Sequence, residues 1–475
     1  MTGSCPDLPY ADDFITCISS QDQGLIHDDI APMSLTDCMS MVGDIKAELR
    51  KQNVRPHEPV LISVNNRAED IAAILAIIDY GAIAVPVHEK AHQRTWQHIA
   101  QCTGSRYKFS HTKPNARNMP KLEHQATKFP TQTDPQLANT AIITFTSGST
   151  GQPKGVMLNR GRMSAKFQTI ATHINLKKHP ICIMPLQLIF SFGQWATLLP
   201  LMYGGTVYIG SKFDPQRTFG YLAEHPSAYL AAVPSMLRMM LDRGPIHKPF
   251  TILTGGEAVS ATLRQQLFTQ WPLMDMFSIY GLTETGTCDL FRHDKAGEAS
   301  PQSLGYPAKY IEVHIEPKSH ELAIKTPFGM LGYVGEPQKT TETIVQNWIM
   351  TGDAAHFDDK GAVVLEGRLK ELINRGGMKI SPLEIENIFR GHPDIADILV
   401  TSVPDTVLGE AIHMLVICKM GKNLDAQSLK RWGETQMERF KVPDSIHFGE
   451  ELPLGSTGKA DRNLFRQHIT KAQKT

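Results

Sequence analysis

Through the first 280 residues, runs of apolar residues alternate with amphipathic stretches in a way that predicts layered α/β structure. Leu35–Lys51 repeats its apolar positions at helical spacing, and Val60–Val64 is a short continuous apolar run typical of a buried strand. Ile71–Tyr80 reads as a buried helix that turns at Gly81 into the strand Ala82–Val87. Residues 110 to 138 are polar and rich in Pro, Asn and Gln, which predicts a surface connection. Further strands are expected at Ile181–Met184, Thr206–Ile209, Ala228–Val233 and Phe250–Leu253. From about 287 to 365 the pattern shifts to short strands and frequent turns (Ile311–Ile315, Glu321–Lys325, Ala362–Glu366), which suits a small β-barrel-like subdomain. After Arg368 the alternation resumes with helix Pro382–Arg390, strands Ile395–Ser402 and Ile412–Lys419, and helix Asp425–Arg439. The expected division is therefore a large domain over residues 1–369 and a small α+β domain over 370–475.

Composition narrows the function classes. Lys+Arg and Asp+Glu both total 48, so no net field draws the chain to nucleic acid or anionic lipid. The longest apolar stretch, Ile71–Val87, is broken by Asp79, Gly81 and Pro86, and membrane insertion is not expected. Seven scattered cysteines without a C-x-x-C pair suggest neither a zinc site nor a disulfide framework. With no signal-peptide profile at the N-terminus, a cytoplasmic location is expected.

One segment carries most of the chemistry. Thr144–Gly155 packs five hydroxyls, three glycines and a lysine between the apolar runs Ala141–Phe145 and Val156–Leu158. Glycines let backbone N–H groups converge on an anion, hydroxyls add donors, and lysine adds a point charge. No Ser or Thr follows Lys154, so this is not a Walker loop, and the flanking runs place it between two strands. Four more motifs follow in order: Tyr280-Gly281-Leu282-Thr283-Glu284-Thr285, Thr351-Gly352-Asp353, Gly367-Arg368-Leu369-Lys370, and Pro453-Leu454-Gly455-Ser456-Thr457-Gly458-Lys459.

These five ordered motifs resemble the adenylate-forming superfamily, closest in pattern to its acyl- and aryl-CoA ligases, and the resemblance covers nearly everything from about Leu35 to the C-terminus. The resemblance implies an ATP-dependent acid–thiol ligase. It would convert a fatty or aryl carboxylate to acyl-AMP, release pyrophosphate, and pass the acyl group to coenzyme A. The alternative acceptor is the phosphopantetheine of a carrier protein, and a degenerate adenylate-binding protein is a third reading. ATP, Mg²⁺ and coenzyme A are the expected cofactors, and a homodimeric state is left open.

The resemblance also assigns roles by position. Thr146, Ser147, Gly148, Ser149, Thr150, Gly151 and Lys154 would cradle the β- and γ-phosphates. Tyr280 would offer a flat face to adenine with Gly281 letting the ligand approach, and Gly255, Gly256 and Glu257 would form a second adenine-contacting turn. Thr283 would bond the α-phosphate and Glu284 would hold magnesium; Asp353 would accept the ribose hydroxyls, assisted by Arg368. Lys459 would act on the α-phosphate and carboxylate during adenylation, and Lys370 would be the hinge of domain rotation. The acyl pocket would be lined by Phe190, Ser191, Gly193, Phe277, Ser278, Gly286 and Cys288. Amino-acid-activating relatives carry an aspartate where this chain has Ser191, so an α-amino acid is not the expected substrate. Many acyl-CoA ligases have histidine where this chain has Phe190.

Overall fold

The structure, a computed structural model, describes residues 11–111, 116–124, 135–146, 153–257, 259–294, 303–453 and 460–472. Two large sheets dominate the first three quarters. The seven-stranded sheet runs Gly332–Tyr333, Lys154–Leu158, Ile142–Thr146, Ile83–His88, Pro59–Val64, Tyr107–Ser110, Lys121–His124. Its centre is parallel and both edges are antiparallel. Pro59–Val64 is buried at every position, as expected of a parallel strand covered on both faces. Helix Ala68–Tyr80 is buried from Ala68 to Ile78, which explains why its sequence shows no polar stripe. It ends at Gly81, whose φ of 88° is the left-handed cap that glycine adopts without Cβ strain.

The second sheet joins a parallel run to an antiparallel one. Met274–Tyr280, Phe250–Gly255, Tyr229–Ala232, Ile181–Ile183, Thr206–Tyr208 and Leu25–His27 are parallel neighbours. Beyond Met274–Tyr280 the sheet continues antiparallel through Leu290–Asp294, Ser303–Pro307, Val363–Arg368, Trp348–Phe357, Glu321–Lys325 and Glu312–Ile315. The β-rich segment is thus continuous with the parallel sheet through Ser303–Pro307. One buried cluster draws on both sheets and on helices Leu35–Lys51, Ala68–Tyr80, Arg160–His173 and Ser191–Met202.

The polar stretch 110–138 is more structured than its composition suggests. Lys121–His124 adds an antiparallel edge strand, and Arg117 Nη1 reaches Asp28 at 2.6 Å and Glu69 at 2.8 Å. Asp28 and Glu69 have fully buried side chains, so this cation pins the connection to the core. The partner carboxylates lie some 50 to 90 positions away, and local composition carries no trace of them.

From Ile373 the chain packs around its own core of Ile385, Phe389, Ile398, Val400, Ile412 and Leu429. Ile395–Asp405 pairs antiparallel with Gly409–Cys418, which pairs parallel with Ser445–Gly449. A hairpin, Ile373–Arg375 with Met378–Ile380, turns at Gly376 and Gly377, whose φ values of 58° and 82° suit a two-residue hairpin loop. His413 Nδ1 and His447 Nε2 lie 2.9 Å apart with stacked rings. Burial lowers both imidazoles below the ordinary 6.5, and for His413 the other ring adds to this, outweighing Asp444. Each is therefore easier to protonate unfolded than folded. Their contribution to stability is complete above about pH 6.5 and is lost as pH falls toward the folded values. Thermal unfolding followed by circular dichroism should show a lower melting temperature at about pH 5.5 than at about pH 7.5, with the difference reduced in His447→Gln.

Candidate active site

The phosphate-loop segment is a strand–turn–strand unit. Ile142–Thr146 and Lys154–Leu158 pair antiparallel, with Thr146 opposite Lys154 at the mouth. Ser147, Gly148, Ser149, Thr150 and Gly151 lie outside the described residues, as does Lys459. Gly155 has a packing reason: a Cβ there would stand 2.6 Å from Val334 Cγ1 and 2.8 Å from Ile143 Cγ2. Lys154 Nζ lies 5.5 Å from the centre of the Tyr333 ring, and Tyr333 Oη donates to Glu284 Oε1 at 2.8 Å. Lys154 is lowered from its usual value by burial and by neighbouring Lys339. Tyr333 therefore stands between the loop lysine and the candidate magnesium ligand, a position the motifs gave no sign of. Lys339 was likewise missed, because it is sequentially remote from the loop.

Tyr280 ends a parallel strand, and the turn after it is held by its own backbone and not by a helix. Thr287 N donates to Leu282 O at 2.8 Å and Asp289 N to Tyr280 O at 2.7 Å. Gly281 is required here by the chain itself: a Cβ would stand 2.3 Å from Cys288 N. Gly286, Thr287 and Cys288 are all left-handed, with φ of 81°, 66° and 52°. Two consecutive non-glycine residues in that region store strain of roughly 1–3 kcal/mol each, which the surroundings must over-determine. Lys166 Nζ, 2.9 Å from Asp289 Oδ1, supplies part of that restraint, with both side chains almost wholly buried. Thr285 Oγ1 also donates to Asp289. Thr283 Oγ1 meets Ser191 Oγ at 3.0 Å, joining the turn to the start of helix Ser191–Met202.

The T-G-D and G-R motifs form a cross-strand pair. Asp353 stands opposite Arg368, and Arg368 Nε reaches Asp353 Oδ1 at 2.9 Å. Tyr280 Oη donates to Asp353 Oδ2 at 2.6 Å. Asp353 is 3% exposed, and burial raises its pKa despite Arg368 and the tyrosine hydroxyl. Burial, then the Asp353 charge, holds Tyr280 protonated, so it remains a donor. Gly255 closes the neighbouring strand, where a Cβ would stand 2.5 Å from Ile279 O, and Gly256 turns away with φ of 81° toward Glu257.

The seven residues expected to line an acyl pocket separate. Ser191 and Gly286 line a cavity with Met163, Lys166, Trp195 and Phe328. Phe190, Gly193, Phe277, Ser278 and Cys288 are not among its lining residues. Phe277 and Ser278 are consecutive on a strand and face opposite sides; Phe277 stacks on His293 at 4.6 Å and Ser278 bonds Asp294. Gly193 lets helix Ser191–Met202 approach the preceding turn, since a Cβ would lie 2.1 Å from Gln187 O. Cys288 is 1% exposed, and burial pushes its thiol up to about 12. Iodoacetamide at about pH 8 should therefore leave Cys288 unmodified in the folded protein, as read by peptide mass spectrometry. Alkylation at the rate of a surface thiol would contradict this burial.

Residues 33–334 match the family model for AMP-binding enzymes, and residues 384–459 match the AMP-binding enzyme C-terminal domain. The chain belongs to the AMP-binding enzyme family. Within it, the class is that of acid–thiol ligases that form AMP. The chain is 27% identical over 450 residues to a feruloyl-CoA synthase of Amycolatopsis sp, covering 89% of this chain and 91% of that protein. It is 30% identical over 346 residues to a fatty acid–[acyl-carrier-protein] ligase of Streptomyces coeruleorubidus, covering 68% and 66%. A 4-coumarate–CoA ligase-like protein of Arabidopsis thaliana is 29% identical, with 70% of this chain and 61% of that protein covered. ATP-bound MatB from Rhodopseudomonas palustris shares the fold at a TM-score of 0.85 and 19% identity, over 98% of this chain and 100% of that one. No helix among the described residues is long and apolar enough to cross a membrane.

Proposed function

We propose that the chain activates a non-amino carboxylic acid, fatty or aryl, by attack of its carboxylate on the α-phosphorus of ATP, and passes the acyl group to coenzyme A. The observation that carries this reading is the meeting of Tyr280, Asp353 and Arg368 at the carboxyl end of a parallel strand, where α/β sheets bind ligands. Asp353 presents a buried carboxylate suited to a vicinal diol. Thr146 and Lys154 at the hairpin mouth add a hydroxyl and a cation for phosphate oxygens. Bringing two anions together makes charge neutralisation the main task, and it falls to Lys154, Lys459 and backbone donors.

Glu284 fits a magnesium site, because its donor is a hard carboxylate oxygen and Mg²⁺ commonly takes one or two carboxylates plus substrate phosphates. Bound there, the ion would neutralise phosphate charge. Against an α-amino acid, the cavity lining contains no carboxylate, and Ser191 is engaged with Thr283. A substrate ammonium would be buried without a counter-charge. We place the domain boundary between residues 369 and 370, and Lys370 as the hinge. A cytoplasmic setting accords with the absence of a disulfide among the six described cysteines.

The test is pyrophosphate release across a panel of carboxylates, with and without coenzyme A. Acid-dependent release of AMP and pyrophosphate is expected, with acyl-CoA formed on adding the thiol. Release of ADP and phosphate would overturn it. The similarity to an acyl-carrier-protein ligase supports a second acceptor. Acyl-adenylate that accumulates in the presence of coenzyme A and discharges onto a phosphopantetheinylated carrier would establish that one instead.

A further inference from the structure

The cavity between helices Arg160–His173 and Ser191–Met202 is lined by a side chain that carries an unpaired polar atom. Trp195 lines it, is 2% exposed, and its indole Nε1–H has no hydrogen-bond partner among the described residues. An indole N–H can only donate, and a buried donor left unpaired is expensive. The polar side chains around it are already committed. Asn159 donates to Asn139 O, Arg162 to Gly329 O, Gln194 exchanges bonds with Thr144, and Ser191 meets Thr283. Lys166, another lining cation, is bound to Asp289 and lies 5.0 Å from the centre of the Phe328 ring. Phe192 stacks on the Trp195 ring at 5.2 Å, which fixes the indole plane.

We propose that this chain is selective for acids bearing an uncharged hydrogen-bond acceptor (an ether, hydroxyl or carbonyl oxygen) remote from the carboxylate, received by Trp195 Nε1–H. The proposal rests on the carboxylate-activating reading above. The acceptor is uncharged because the indole N–H is a neutral donor and the Lys166 charge is already met by Asp289. A site built around a fixed donor discriminates strongly, since the analogue lacking the acceptor leaves that donor unpaired. A purely apolar pocket of the same shape would treat an ether and its hydrocarbon isostere nearly alike.

The experiment compares isosteres in the pyrophosphate assay: 3- and 4-methoxybenzoate against 3- and 4-ethylbenzoate, and alkoxy acids with the oxygen at successive chain positions against nonanoate. Any other acid of the panel that is turned over is paired with its own oxygen-for-methylene isostere. At one oxygen position, kcat/KM for the ether should exceed that of its isostere on the order of 10- to 100-fold. Trp195→Phe keeps a ring at this position and removes the donor, so the ratio should collapse toward one. Ratios near one at every position in the native enzyme would overturn this inference and leave the ligase reading intact. Pyrophosphate release from no acid at all would overturn both. The native comparison needs no variant, so it decides the matter even if Trp195→Phe fails to fold.

Discussion

Lys459→Ala should slow acid-dependent pyrophosphate release on the order of 10²- to 10³-fold, the range for losing one preorganised donor to a developing charge. The same variant should discharge pre-formed acyl-adenylate onto coenzyme A at close to the native rate. The asymmetry follows from where charge accumulates. In the first half-reaction a carboxylate approaches a polyphosphate, and a mobile ammonium is worth most there. In the second a thiol displaces AMP from a carbonyl, and no polyphosphate is present. Lys459 follows Gly455, Ser456, Thr457 and Gly458 in the sequence. Quench-flow measurement of each half-reaction separates the outcomes, and equal losses in both would remove Lys459 from this role.

Lys370→Pro should do the opposite: pyrophosphate release within a few-fold of native, and thioester formation lost. Lys370 occupies a single 3-10 turn, Leu369–Glu371, between the strands Val363–Arg368 and Ile373–Arg375. Such short, element-terminal positions absorb large backbone changes in domain rotation. Proline fixes φ near −65° and deletes the N–H, so the turn can occupy one arrangement and not exchange between two. Single-turnover assays with isolated acyl-adenylate check this directly, and intact acyl-CoA formation would exclude Lys370 as the hinge.

Most of the architecture was legible because its signals are local. Glu321–Lys325 falls where its alternation places it, and the buried helix Ala68–Tyr80 and its Gly81 cap follow from apolar continuity and one glycine. The Asp353–Arg368 pair was legible too, since fifteen residues with a strand between them fold into a hairpin. The contacts that organise the site were not. Tyr280 to Asp353, Tyr333 to Glu284, and Lys166 to Asp289 join residues 49 to 123 positions apart. Nothing in the residues around Lys166 distinguishes a buried ion-pair partner from a solvated helix lysine. Gly193, expected in the acyl pocket, and Gly281, expected beside adenine, are both small to make room for the chain's own backbone.

The Lys166–Asp289 bond also constrains how such an enzyme can diversify. Lys166 borders the cavity lined by Ser191 and Trp195, while Asp289 anchors the left-handed turn beside Tyr280. Removing either charge strands its partner in the interior, at a cost of about 3–5 kcal/mol. Laboratory evolution toward new acids should therefore accumulate substitutions at Met163, Trp195 and Phe328 first. Position 166 should change only in company with 289.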